Sequence, residues 1–148
     1  MSSDTELAIE ITFSNSHEPI HPRCAGDMHF AVDAMVEAGD PFCNTLWIWV
    51  DNSDAKCIAL IYAGVFPDGS AGCLHFHNVD SNCFSRGADK DGDPIRFENY
   101  GKPHYFPANS VIDIKKLKSV LATAYRTDFG SRPDEIEWQD WFDPMPDE

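Results

Sequence analysis

The sequence predicts an α+β fold: a mostly antiparallel central sheet with two helices packed on it. Three observations predict it. Two segments, one near each end, carry apolar residues at helical spacing. Between them several strand-like segments follow one another with no helix intervening. The clearest joins, Asp51-Asn-Ser-Asp54 and Pro67-Asp-Gly-Ser70, are tight-turn chemistry rather than the crossovers of a doubly wound parallel sheet. At 148 residues the chain has the size of one domain, residues 1–148, with residues 1–5 and 143–148 expected to be loosely held.

The elements follow in order. In Glu6–Phe13, Leu7, Ile9, Ile11 and Phe13 alternate with more polar residues, the period of a half-buried strand. Ser14–Pro22 is a polar, proline-containing loop. Asp27–Ala38 predicts a helix capped by Asp27, with Met28, Ala31, Val32 and Met35 on one face and Gly39 closing it. Thr45–Val50 is apolar at both parities, Leu46, Ile48 and Val50 against Trp47 and Trp49, and so predicts a central strand covered on both faces. Cys57–Val65 and Gly72–Val79 continue a meander. Ser81–Pro94 reads as a long polar loop, and Ile95–Tyr100 with Lys102–Phe106 as a hairpin across Gly101. Asp113 caps a second helix whose stripe is Ile114, Leu117, Val120, Leu121 and Ala124, while Lys115, Lys116 and Lys118 face water. Gly130 is expected to supply the left-handed C-terminal residue, Pro133 blocks continuation, and Glu135–Trp138 is a short last strand.

Composition narrows the function. The hydrophobic fraction of 43% is that of a folded chain, and 25 acids against 11 bases give a net charge of −14. That field repels nucleic-acid phosphate and anionic lipid. It serves either solubility alone or the steering of a basic partner. The N-terminus Met-Ser-Ser-Asp-Thr-Glu has no basic, apolar leader pattern, so the expected location is cytoplasmic. Of the 5 cysteines, Cys43, Cys57 and Cys73 lie in or beside apolar segments and read as small buried hydrophobes. No disulfide framework is implied.

Candidate chemistry is sparse. Cys73, His75 and His77 share one face of a strand and could ligate zinc, as in a metal-dependent enzyme, but no further ligand is marked. Their alternative reading is the strand's outer face, with Leu74 and Phe76 turned to the core. Asp89-Lys-Asp-Gly-Asp93 with Glu98 resembles a calcium loop, but the first ligand position falls on Gly87. A polar hairpin loop explains it better. There is no G-x-S-x-G, P-loop, G-x-G-x-x-G or H-E-x-x-H pattern, so the expectation is a chain that is not an enzyme and uses no cofactor. Residues 134–148 interleave acids with Trp138, Trp141 and Phe142 and contain no Lys or Arg, a composition suited to a basic partner surface. Trp138 reads as core. Trp141 and Phe142 lie beyond the strand and are better contact candidates, unless the segment is merely a solvated edge.

The order of these signals resembles one of the bacterial polymorphic-toxin immunity protein families, the first-numbered immunity class. The resemblance rests on Trp47 and Trp49 in Leu-Trp-Ile-Trp-Val and on Gly72-Cys-Leu74-His-Phe76. It continues through Val111–Tyr125, Gly130, Arg132-Pro133 and Glu137-Trp138-Gln139. It spans residues 45–141. It implies a cytoplasmic inhibitor that binds one cognate toxin, such as a nuclease or nucleic-acid deaminase, and covers its active or substrate site. The partner would be a basic toxin domain, with no direct contact to nucleic acid or membrane. The expected contacts are Asp80, Asp89, Asp91, Asp93, Glu98, Asp140, Trp141 and Asp143. A toxin-unrelated acidic adaptor is the remaining alternative.

Overall fold

In the computed structural model the described residues are 7–13, 18–79, 81–87, 92–130 and 132–140. They form an α+β fold. Strands are β1 (Ala8–Thr12), β2 (Thr45–Asp51), β3 (Cys57–Val65), β4 (Ala71–Asn78), β5 (Asn82–Arg86), β6 (Ile95–Asn99), β7 (Lys102–Phe106), β8 (Ile112–Asp113) and β9 (Glu137–Asp140). The helices are α1 (Gly26–Ala38) and α2 (Ile114–Arg126). Among the described residues the main sheet runs β1-β2-β3-β4-β5-β9, with β8 pairing to β4 and every pairing antiparallel. The hairpin β6–β7 is a separate two-stranded sheet. No helix among the described residues is long and apolar enough to cross a membrane.

Strand parity builds two cores. Ile11, Leu46, Ile48, Val50, Ile61, Leu74 and Phe76 point to the side where α1 and α2 pack, through Met28, Ala31, Val32, Met35, Leu117, Val120, Leu121 and Ala124. Both apolar helical stripes are buried as the spacing predicts, except Ile114, which is only partly buried. Burying side chains of this size stabilises by about 1.5–3 kcal/mol each. On the opposite side Cys73, Phe84, Phe97 and Phe106 form a smaller core under the hairpin. Gly64 makes that approach possible: a Cβ there would stand 2.6 Å from the Phe97 ring. Asn44 clamps the hairpin to the sheet, donating its N–H to the Glu98 carbonyl (2.9 Å) and accepting the Glu98 N–H at Oδ1 (2.7 Å).

Several local expectations are corrected. The segment read as a loop, residues 81–94, contains β5, inserted between β4 and β9. Cys83, Phe84 and Ser85 are all buried, so no polar–apolar alternation announces the strand. Asp27 lies inside α1 and accepts the Arg23 N–H at 2.7 Å instead of capping the helix. Gly39 does close α1 in the left-handed conformation. Asp113 caps α2, accepting the Lys115 N–H at 3.0 Å. At the other end of α2 the left-handed residues are Asp128 and Phe129, not Gly130. The Asp128 N–H reaches the Tyr125 carbonyl (3.1 Å) and the Phe129 N–H the Ala124 carbonyl (2.8 Å), a Schellman ending that drives Phe129 into the core. Lys118 does not simply face water: it reaches Asp33 of α1 at 2.6 Å and is largely covered. Cys57 is exposed, because it opens β3 at the sheet's rim. The last strand starts two residues later than expected, at Glu137. The expectation for residues 1–5 and 143–148 falls outside the described residues.

Candidate functional site

The sheet face opposite the helices is organised in cross-strand rows. One row runs Thr12–Trp47–Tyr62–His75–Phe84–Gln139, read from the strand registers. The hairpin lies over it. Trp47 donates its indole N–H to Asn99 Oδ1 at 2.6 Å and meets Tyr62 and Tyr100 edge-on. His104 sits 4.5 Å from Tyr62 and 6.0 Å from His75, and Phe106 packs on Phe84. The covering is incomplete, so Trp47 is only half-buried. The prediction of a strand covered on both faces is therefore corrected: the hairpin, two strands wide, is too narrow to shield the full length of β2.

The next row along the strands is Glu10–Trp49–Leu60–His77–Asn82. Here Trp49 and Leu60 are half-buried, while His77 and Asn82 are exposed. Trp49 stacks on Trp47 at 5.7 Å and 29°. A hollow of about 180 Å³ opens beside it, lined by Ala8, Ile9, Glu10, His21, Trp49 and Asp51. A second depression of about 280 Å³ lies at the other end, lined by Cys57, Leu60, His77 and Val79 among others. Val79 is 82% exposed. This row combines the partly exposed Trp49 and Leu60 with acid at one end, a composition found at protein contact surfaces. Its signal was present in the sequence: Trp47 and Trp49 share the parity opposite to Leu46, Ile48 and Val50.

Cys73, His75 and His77 do share a face, but not as an open ligand set. Cys73 is sealed under the hairpin, and burial, opposed by a hydrogen bond with Ser110, pushes its thiol up to about 12. His75 is buried, its Nε2 hydrogen-bonded to Asn82 Oδ1 at 2.7 Å, and burial, partly offset by that bond, lowers its pKa. His77 alone is exposed. Among the described residues no group of three His, Cys, Asp or Glu side chains could hold a metal ion. His75 belongs to an aromatic stack, 4.5 Å from Phe84 and 5.5 Å from Tyr62.

The expected contact residues are spread out. Asp93 is exposed just before β6. Glu98 lies within β6 and pairs with Arg96 of the same strand at 2.8 Å. Asp140 is exposed on the edge strand β9, across the sheet from the hairpin's anchor on Asn44. Asp80, Asp89, Asp91, Trp141 and Asp143 fall outside the described residues. Trp138 is half-buried scaffold, donating its indole N–H to the Pro133 carbonyl at 2.6 Å and packing on Phe76.

Comparison with known proteins adds one finding. The model of a family described as Immunity protein Imm1 matches residues 16–140, most of the chain. No curated protein matches it.

Proposed function

The chain belongs to the Imm1 family of immunity proteins, and we propose that it neutralises a cognate bacterial toxin by stoichiometric binding that blocks the toxin's active or substrate site through an acidic surface. The family match over residues 16–140 carries this reading. The net charge of −14 supports it. A nuclease or nucleic-acid deaminase gathers basic residues for phosphate, and an acidic inhibitor complements that surface while itself repelling nucleic acid. Occlusion demands shape and charge of the inhibitor, not catalysis, and needs no cofactor.

In this reading the inhibitor works in the cytoplasm of the cell that makes the toxin. Asp80, Asp89, Asp91, Asp93, Glu98, Asp140, Trp141 and Asp143 contribute contacts or steering charge. Glu98 already pairs with Arg96, which reduces the charge it offers a partner. The test is co-purification with the toxin domain encoded beside this gene. A complex that forms and is weakened by salt supports the proposal; a toxin that elutes separately at low salt refutes it.

A further inference from the structure

We propose that the toxin docks on the row Glu10–Trp49–Leu60–His77, which the described residues leave partly exposed, and that the hollow beside Trp49 takes an arginine side chain of the toxin. This deepens the immunity reading and rests on it.

The row is what the described residues leave partly open. α1 and α2 cover one face of the sheet, and β6–β7 covers the row of Trp47, Tyr62 and His75 on the other. One step along the strands, Trp49 and Leu60 are half-buried beside exposed His77, and Val79 at the rim is 82% exposed. Trp is the side chain most enriched among residues that dominate binding, and it delivers wide apolar contact at low entropic cost.

The chemistry of the hollow selects the occupant. Glu10 faces Trp49 across the β1–β2 ladder, and Asp51 lines the same space of about 180 Å³. A guanidinium is planar and permanently charged, and can stack on an indole while forking two N–H groups onto a carboxylate. A lysine ammonium offers the charge without the flat stacking surface. The present partner of Glu10 is His21, at 3.6 Å, and both side chains are well exposed. That contact is weak and readily displaced. At the far end Leu60, His77 and Val79 offer an apolar surface. The footprint therefore runs from an acidic arginine slot to an apolar rim, on a chain whose net charge of −14 attracts basic proteins.

The experiment is calorimetric titration of the full-length chain with the toxin domain encoded beside its gene. Wild type is compared with Trp49→Ala, Trp49→Phe and Glu10→Arg. Circular dichroism and thermal melts check that each variant folds. Glu10→Arg, a substitution at an exposed site, keeps the test decisive if Trp49→Ala does not fold. The expected losses of affinity are about 30-fold or more for Trp49→Ala and about 10-fold for Glu10→Arg, with Trp49→Phe in between. Folded variants that bind within about 3-fold of wild type overturn the docking face and leave the immunity reading intact. Wild type that fails to bind overturns both. In the toxin, single Arg→Lys replacements across its contact surface should identify one that weakens wild type but not Trp49→Ala. If none does, the arginine assignment is overturned.

Discussion

The rings of Trp47 and Trp49 stack 5.7 Å apart on one face of β2, yet only Trp47 is tied to the hairpin, through its 2.6 Å hydrogen bond to Asn99. Their roles should separate accordingly. Trp47→Ala removes a hydrogen bond and the packing against Tyr62 and Tyr100, and should lower unfolding free energy by about 3 kcal/mol. Trp49→Ala should cost less, about 1–2 kcal/mol, because the indole hydrogen bond to Asn99 and the edge-on contacts with Tyr62 and Tyr100 belong to Trp47. Urea denaturation measures both. Equal losses would mean that Trp49 is scaffold as much as Trp47.

Stability should fall as acid reaches the hairpin. Burial, with His75 adding repulsion, lowers His104 from 6.5 to about 4, and burial also lowers His75. Neutral rings therefore fit the fold, and the unfolded chain takes up protons first. Their unfavourable contribution is absent above about pH 6.5, grows as pH falls, and levels off below about pH 4 for His104. The expected loss from His104 is on the order of 2 kcal/mol, since the site is partly accessible. His104→Phe should flatten the pH dependence of the melting temperature between those limits; an unchanged slope would contradict this.

Substitutions at the ends of α2 should differ in sign with the role of each residue. Asp113→Ala removes the side-chain acceptor for the Lys115 N–H and should cost about 1 kcal/mol. Asp128→Gly should stabilise by about 0.5–1 kcal/mol, since glycine adopts the left-handed conformation (φ 54°) without strain. Phe129→Ala empties a fully buried site and should cost about 3–4 kcal/mol. Thermal melts of the three variants would show the signs directly.

Charge should act mainly on encounter. If Asp89 and Asp91 sit on the rim of the contact, reversing both, Asp→Lys, should slow association with the toxin by about 10-fold while leaving dissociation nearly unchanged. Stopped-flow or surface-binding kinetics at two salt concentrations would resolve it. A change confined to dissociation would instead place these acids in the centre of the contact.

Much of the fold was legible because its signals were local and concordant. Leu117, Val120, Leu121 and Ala124 repeat at helical spacing, and Asp113 stands where a cap belongs. Leu46, Ile48 and Val50 alternate over a strand's length. What escaped depends on tertiary context. β5 is short and buried at both parities, so it looks like a loop containing a few apolar residues. The turn after α2 is set by Phe129 reaching the core, which overrides the presence of glycine at 130. Acid-rich segments drew attention as candidate contacts because composition marks them. The partly exposed row at Trp49 becomes visible only once the hairpin's contacts are seen to fall on Trp47. Sequence parity put both tryptophans on one face but could not say how far the hairpin extends.

Neutralisation of the toxin should be one-to-one. The most direct measurement is the activity of a fixed amount of the toxin domain encoded beside this gene, titrated with the purified chain well above the dissociation constant. Toxin activity should fall linearly to background with a break at one equivalent. Full toxin activity at a large molar excess of the chain would contradict it.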